Sequence, residues 1–371
     1  MPATDQALPV SPHAQSVEGD RPRLASLEAI RGIAALAVVL GHSVEEAIRL
    51  IPSDVWRGLL QSLAVDYVSL GRIGVVAFFC VSGYVIPFSF AHKHPVPSFM
   101  IARFFRLYPA YWISMAGALI LALVLGEAFP PPAQIFANIT MVQVALGQPD
   151  LIGVYWTLFY ELVFYGLCLG AFLAGRMQSP AHLLAMIAGL SLLGLIAAVL
   201  RHVGTAAGVP IGIFVFLAIM HLGTLARVSD RDATPQARRY FAIGLAVILV
   251  TAGPIVSVGF IQKASNQRLL ADVTSLYVGL ALFFALRRRD DVATGPLLFL
   301  GKISYSLYLM HPLCLVALVA VGHGLASPIG PLFVLLSVPI CSILLATLMQ
   351  HFVEDPSNRL GRRVRRMLPG G

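Results

Sequence analysis

Apolar runs of about twenty residues, separated by short stretches that hold most of the charge, organise the chain from end to end. A helix needs roughly 20 such residues to cross about 30 Å of hydrocarbon, and in lipid only helices and closed barrels satisfy every backbone polar group. Ten runs qualify: 27–48, 70–90, 107–126, 153–175, 182–201, 209–227, 240–260, 269–286, 297–321 and 329–353. They predict an all-α polytopic membrane protein with about ten transmembrane helices. The run 133–146 is shorter and lacks Lys or Arg at its flanks, so it reads as a re-entrant or interfacial piece of a long loop.

Composition sharpens this picture. Of 371 residues 58% are hydrophobic and 12% charged, against roughly 45–50% and about 25% in soluble domains, which excludes an ordinary soluble enzyme. The net charge of +8 does not indicate nucleic-acid binding, because the basic residues sit in short loops and at the C-terminus. With the N-terminus placed inside, eighteen Lys and Arg fall on the cytoplasmic side and five in outer loops. This asymmetry predicts that both termini are cytoplasmic. Residues 1–23 read as a disordered polar tail, 24–356 as the membrane domain and 357–371 as a basic tail whose arginines, Arg359 to Arg366, meet anionic lipid. Cys80, Cys168, Cys314 and Cys341 lie in apolar runs without a CxxC pair and read as packing residues, so no metal site is expected. Asn138-Ile-Thr matches a glycosylation sequon too short to carry weight.

Charges inside apolar runs carry more information, since each costs at least about 2.5–3.5 kcal/mol at a bilayer centre. The first run, SLEAIRGIAALAVVLGHS, holds Glu28, Arg31 and His42. Eleven residues separate Arg31 from His42, so they differ by only about 20° around the helix and by roughly 16 Å along it. Taken alone, Arg31 pairing with Glu28 and snorkelling to phosphate accounts for the pattern, with His42 bonding a neighbouring helix. The same face at two depths also suits an elongated substrate, with an anion at Arg31 and proton chemistry at His42. The fourth run, GVYWTLFYELVFYG, places Glu161 at a depth similar to His42, where a carboxylate would orient the imidazole. The ninth, GKISYSLYLMHP, adds Ser304, Tyr305, Tyr308 and His311 as polar glue between helices or as the lining of a cavity. Arg103 and Arg106 in SFMIARFFRLYPAYW are spaced to face one anion, although positive-inside anchoring explains a lone pair equally well. HFVEDPSNRL, with Glu354, Asp355 and Pro356, reads as a helix stop.

These segments together resemble the acyltransferase 3 family of integral-membrane acyltransferases. The likeness rests on LEAIRGIAALAVVLGH, FFCVSGYVI, RFFRLYPAYW, YWTLFYELVFYG and LGKISYSLYLMHP, which follow in family order from about 24 to 356. The resemblance implies transfer of an acetyl or short acyl group from cytoplasmic acyl-CoA, as co-substrate, to a hydroxyl of an exported or surface glycan. It implies that Arg31 and His42 are needed for activity, that Arg103 and Arg106 form the cytoplasmic Arg pair, and that Glu161 is the acid of a Trp-Ser-Leu-x-x-Glu pattern. Here that pattern reads Trp156-Thr157-Leu158-Phe159-Tyr160-Glu161, so Thr157 replaces the usual Ser and keeps its hydroxyl. Glu28 stands where Asp is common. Some relatives append a soluble SGNH-type domain; this chain ends eighteen residues after its last predicted span, so transfer is expected to finish within the membrane domain or to be handed to a separate protein.

The resulting expectation is a bacterial inner-membrane O-acyltransferase whose catalytic set is His42, Glu161 and His311. Arg31, Arg103 and Arg106 bind the acyl-CoA, and the partners are membrane lipid and a glycan acceptor but no nucleic acid. In that scheme His42 is general base, Glu161 orients it and His311 lines the pocket, with an acyl-histidine as the competing route. A transporter or flippase of a lipid-linked sugar is the rival class, weakened by the lack of internal repeats. A sensor or scaffold would need no buried Arg, His and Glu. Exopolysaccharide, lipopolysaccharide O-antigen, lipo-oligosaccharide or a glycosylated metabolite all offer hydroxyls, and a homodimer is left open.

Overall fold

The computed structural model describes residues 12–52, 55–90, 92–205, 210–260, 266–325 and 328–368, with side chains from residue 25 onward except 260 and 266–268. Among them there are helices and turns and no strand. Ten helices among the described residues are long and apolar enough to cross a membrane, and they coincide with the ten expected runs. In chain order the helices are α1 (Pro12–Leu50), α2 (Val55–Gln61), α3 (Leu70–Val85), α4 (Pro95–Leu125), α5 (Pro132–Ile139), α6 (Trp156–Leu173) and α7 (Pro180–His202). They continue as α8 (Gly212–Asp232), α9 (Pro235–Phe260), α10 (Asn266–Leu286), α11 (Gly295–Lys302), α12 (Ser304–His323), α13 (Ile329–Met349) and α14 (Asp355–Arg366).

Helix ends depart from the expected limits for local reasons. Residues 1–11 of the expected tail lie outside the described residues, and from Pro12 the backbone already belongs to α1, since extending a nucleated helix is cheap. The third span begins at Pro95 rather than near 107, with Pro95 and Pro97 in its opening turn where no N–H bond is lost. Arg103 and Arg106 therefore ride on the helix. The 133–146 run yields only α5, whose Asn138 is buried and bonds Gln134 O, Pro149 O and the Leu151 N–H. The ninth span is broken at Ile303 into α11 and α12. The expected stop at Glu354 is absent: a π-helical turn, Gln350–Glu354, carries α13 directly into α14. The proline of the Asp-Pro pair falls in the first turn of that new helix, a position that tolerates it.

Small residues set the helix crossings, as expected where packing rather than hydrophobicity holds helices together. Where α3 meets α8, a Cβ on Gly83 would lie 1.9 Å from Met220 O, and one on Gly223 would lie 2.4 Å from Cys80 O. A Cβ on Gly301 of α11 would likewise lie 2.1 Å from Glu28 O of α1. Hydroxyls add bonds between helices: Thr224 to Gly83 O across α8 and α3, and Ser114 to Leu309 O and Tyr305 to Leu107 O across α4 and α12. At the end of the bundle that carries α14, buried Asp230 accepts from Arg287, Arg288 and Tyr84, tying α8 to α3 and the end of α10. Helices α1 and α3 run side by side through the centre, and α8 is buried along most of its length.

Candidate active site

Two adjoining spaces open along α1 and α3. The larger, about 770 Å³, is lined by His42, Glu45, Gly71, Trp156, Tyr160 and Tyr308 among others. The smaller, about 90 Å³, is lined by Arg31, Ser82, Arg106, Glu161, Ser304 and Tyr305 among others. Val75 and Tyr308 line both. The Tyr308 hydroxyl lies 2.8 Å from Thr157 Oγ1 and 3.1 Å from Val154 O, which holds its ring in the partition. The face shared by Arg31 and His42 along α1 thus connects the two spaces.

The chemistry of the large chamber is set by a pair of histidines. His42 Nδ1 and His311 Nε2 are 2.9 Å apart, and His311 Nδ1 is 3.2 Å from Leu307 O. A carbonyl only accepts, so His311 Nδ1 carries the proton and its Nε2 is the acceptor. His42 Nδ1–H must then be the donor, leaving the lone pair on His42 Nε2. That atom faces Gly71: a Cβ placed there would meet it at 3.7 Å. His311 is fully buried and lines neither space, contrary to the expectation that it faces the pocket. Pro312 explains why the Met-His-Pro sequence suits this position. Lacking an N–H, it leaves the Tyr308 carbonyl without its helical donor, and that carbonyl joins Leu307 O in acting on His311.

Glu161 does not approach His42. It accepts from Tyr165 at 2.7 Å and from Ser82 at 3.4 Å, on the small cavity. Similar depth along two helices did not make the residues neighbours; the partner of His42 comes from α12. The small cavity is instead a charge cluster. Arg31 pairs with Glu28 at 3.4 Å, and Arg31 and Arg106 both interact electrostatically with Glu354. Glu354 is buried and accepts from Ser306. Sequence reasoning passed over it because Glu-Asp-Pro resembles a terminus; its signal was a carboxylate directly after an apolar span.

The expected arginine pair splits. Arg106 faces the small cavity beside Arg31, while Arg103 lies against the rings of Phe99 and Tyr165, at 5.2 and 5.3 Å, and donates to Ser89 at 2.7 Å. Three residues along a helix leave about 60° between side chains, and the aromatic neighbours capture one of them. Two cations in the small cavity are therefore supplied by different helices, α1 and α4. Glu45, one turn beyond His42, was also overlooked; it lines the large chamber and acts electrostatically on His42. Among the described residues, no group of three His, Cys, Asp or Glu side chains is placed to hold a metal ion.

A family model described as an acyltransferase domain matches residues 24–349. Among curated proteins, Acyltransferase MdmB from Streptomyces mycarofaciens is 30% identical over 151 residues, covering 38% of this chain and 38% of that protein. The match thus spans well under half of the relative's length. No solved structure matches the chain.

Proposed function

The chain belongs to the acyltransferase family defined by that domain, and from this premise we propose that it moves an acetyl or other short acyl group from acyl-CoA to a hydroxyl of a glycan acceptor. The basic side of the bundle, which carries α14, faces the cytoplasm of a bacterial cell in this reading, and the large chamber faces outward. Arg31 and Arg106 receive phosphate groups of the acyl-CoA through charge-assisted bonds. The thioester passes Tyr308 to reach His42.

There the acceptor hydroxyl attacks the thioester carbonyl. Its proton goes to His42 Nε2, the new C–O ester bond forms, the C–S bond breaks, and the proton passes on to the CoA thiolate. His311 fixes the tautomer of His42 and shares the positive charge that develops, the part a carboxylate plays in a hydrolase triad. The observation that carries this reading is the uncommitted Nε2 of His42, set by a buried partner and bordering the large chamber one residue, Tyr308, away from two cavity arginines. The same lone pair serves a competing route in which His42 is itself acylated.

The test is acetyl-CoA consumption and transfer by the purified protein in lipid nanodiscs. His42→Ala should abolish turnover while CoA still binds, and Arg31→Ala/Arg106→Ala should lose CoA binding. Acylated protein caught by rapid quench in the wild type and missing in His42→Ala would select the acyl-histidine route. A wild type that neither binds nor consumes any acyl-CoA overturns the reading and returns glycan transport to first place.

A further inference from the structure

The large chamber has a charge pattern that limits what can occupy it. Three arginines line it, Arg49, Arg72 and Arg201, against three carboxylates, Glu45, Asp66 and Asp272. Two of the arginines are paired with carboxylates, Arg72 with Asp272 at 2.9 Å and Arg49 with Glu46 at 2.5 Å, and Arg201 also has an interaction within the protein. Asp66 accepts from Gln61 and Ser62.

The polar groups left over are of a different kind. Glu45, the indole N–H of Trp156 and the phenol of Tyr160 have no hydrogen-bond partner among the described residues, and all three residues line the chamber. Trp156 and Tyr160 stand edge to face at 5.1 Å, and Phe216 lies 5.5 Å from Trp156. Trp156, partly exposed beside the buried rings of Tyr160 and Phe216, offers an aromatic surface with one acceptor and two hydroxyl-compatible donors around it, which complements the hydroxyls and C–H faces of a sugar ring. A volume of about 770 Å³ is ample for such a ligand.

We infer that the large chamber is an acceptor subsite selective for an uncharged glycosyl unit, packed on Trp156 with a hydroxyl held by Glu45 beside the one presented to His42. This rests on the acyl-transfer reading above and narrows its acceptor. A uronate, sialate or sugar phosphate would bring an anion into a site where, among the described residues, Arg49 and Arg72 are already paired with carboxylates and Glu45 and Asp66 carry charge beside only neutral groups, so its desolvation is uncompensated. Glu45 is a positioning residue in this arrangement.

The experiment is binding of the full-length protein in nanodiscs to an array of uncharged, uronate, sialylated and phosphorylated oligosaccharides, with acetyl-CoA consumption measured on the same preparations. The wild type should retain uncharged glycans and bind matched uronates at least about tenfold more weakly, the effect of one unpaired buried charge. Trp156→Ala should lose the retained glycans. Asp272→Asn, which takes the carboxylate from Arg72, should gain uronate binding, and a misfolded protein cannot produce a gain. A preference of the wild type for acidic glycans, or no glycan binding at all, overturns the inference. If acetyl-CoA is still consumed in that case, the acyltransferase reading survives; if it is not, both fall.

Discussion

His42 and His311 are bonded Nδ1 to Nε2 at 2.9 Å, edge to edge, with ring centroids 5.2 Å apart and ring planes within 15° of each other, although 269 residues separate them in the chain. The bond joins α1 to α12 and fixes which nitrogen of His42 is free. A buried neutral imidazole here takes the position that a carboxylate occupies in most catalytic triads. In the proposed mechanism it positions the base without placing a second charge in the membrane, where an unpaired one is expensive.

Replacing His311 should therefore impair the chemical step and leave substrate capture intact. His311→Gln is expected to lower kcat by about 10²–10⁴-fold, the range of a general base that has lost its orientation. The KM for acyl-CoA should stay near the wild-type value because Arg31 and Arg106 line the other cavity. The wild-type kcat/KM should fall on acidification, as a protonated His42 cannot accept the hydroxyl proton. A change in the shape of that acid limb in His311→Gln would separate positioning from a merely structural role.

The two arginines of RFFRLYPAYW should behave differently. Arg106 shares its cavity with Arg31, whereas Arg103 is held by Ser89 and two aromatic rings. Arg106→Ala is expected to weaken CoA binding by about 10–100-fold, the equivalent of one charge-assisted bond of roughly 1.5–3 kcal/mol. Arg103→Ala should cost less in affinity and more in stability, through lost packing of the α4 start against α6. Isothermal titration with CoA together with thermal melting of both variants distinguishes them; equal losses of affinity would mean that the two guanidinium groups act as one fork.

The contrast between these arginines illustrates what a sequence read can and cannot reach. Spans were legible because lipid leaves the backbone few choices, and the alignment of Arg31 with His42 was legible because both lie on one helix of fixed pitch. Relations between helices were not. Depth placed Glu161 level with His42, but which helices touch depends on contacts such as Gly83 on Met220 and Gly301 on Glu28, which no periodicity reveals. Arg103 and Arg106 lie one turn apart, yet the direction each takes is decided by Phe99 and Tyr165. Glu354 was hidden by a π-turn that keeps the chain helical where Asp-Pro suggests an end.

The partition at Tyr308 gives a third prediction. The 90 Å³ cavity is too confined for an acyl-pantetheine arm, so the proposed path requires Tyr308 to move for a thioester to pass. Its ring is held by bonds to Thr157 and the Val154 carbonyl. Thr157→Val keeps the shape and deletes the bond to Tyr308 together with Thr157's own bond to the Val154 carbonyl, each worth about 0.5–1.5 kcal/mol, and is expected to raise acceptor-independent hydrolysis of acyl-CoA several-fold. Thr157→Ser should restore the wild-type ratio of transfer to hydrolysis. An unchanged ratio in the valine variant would mean that the partition does not gate the thioester.

Two glycines on α3 should fail in opposite ways. At Gly83 an added methyl would meet backbone, Met220 O at 1.9 Å, which cannot swing aside as a side chain does. The α3–α8 crossing must then open, straining the Thr224 bond to Gly83 O, so Gly83→Ala should destabilise the fold by at least about 1–3 kcal/mol. At Gly71 the nearest atom is His42 Nε2 at 3.7 Å, an ordinary contact that the fold accommodates. That methyl would nevertheless sit where, in the proposed mechanism, the acceptor oxygen approaches the base. A displacement of about 1 Å there costs on the order of 10²-fold in rate, so Gly71→Ala should melt like the wild type and transfer far more slowly. Gly166→Ala, whose methyl meets nothing within 4 Å, serves as the control. Full activity in a stably folded Gly71→Ala protein would show that the acceptor reaches His42 from another direction.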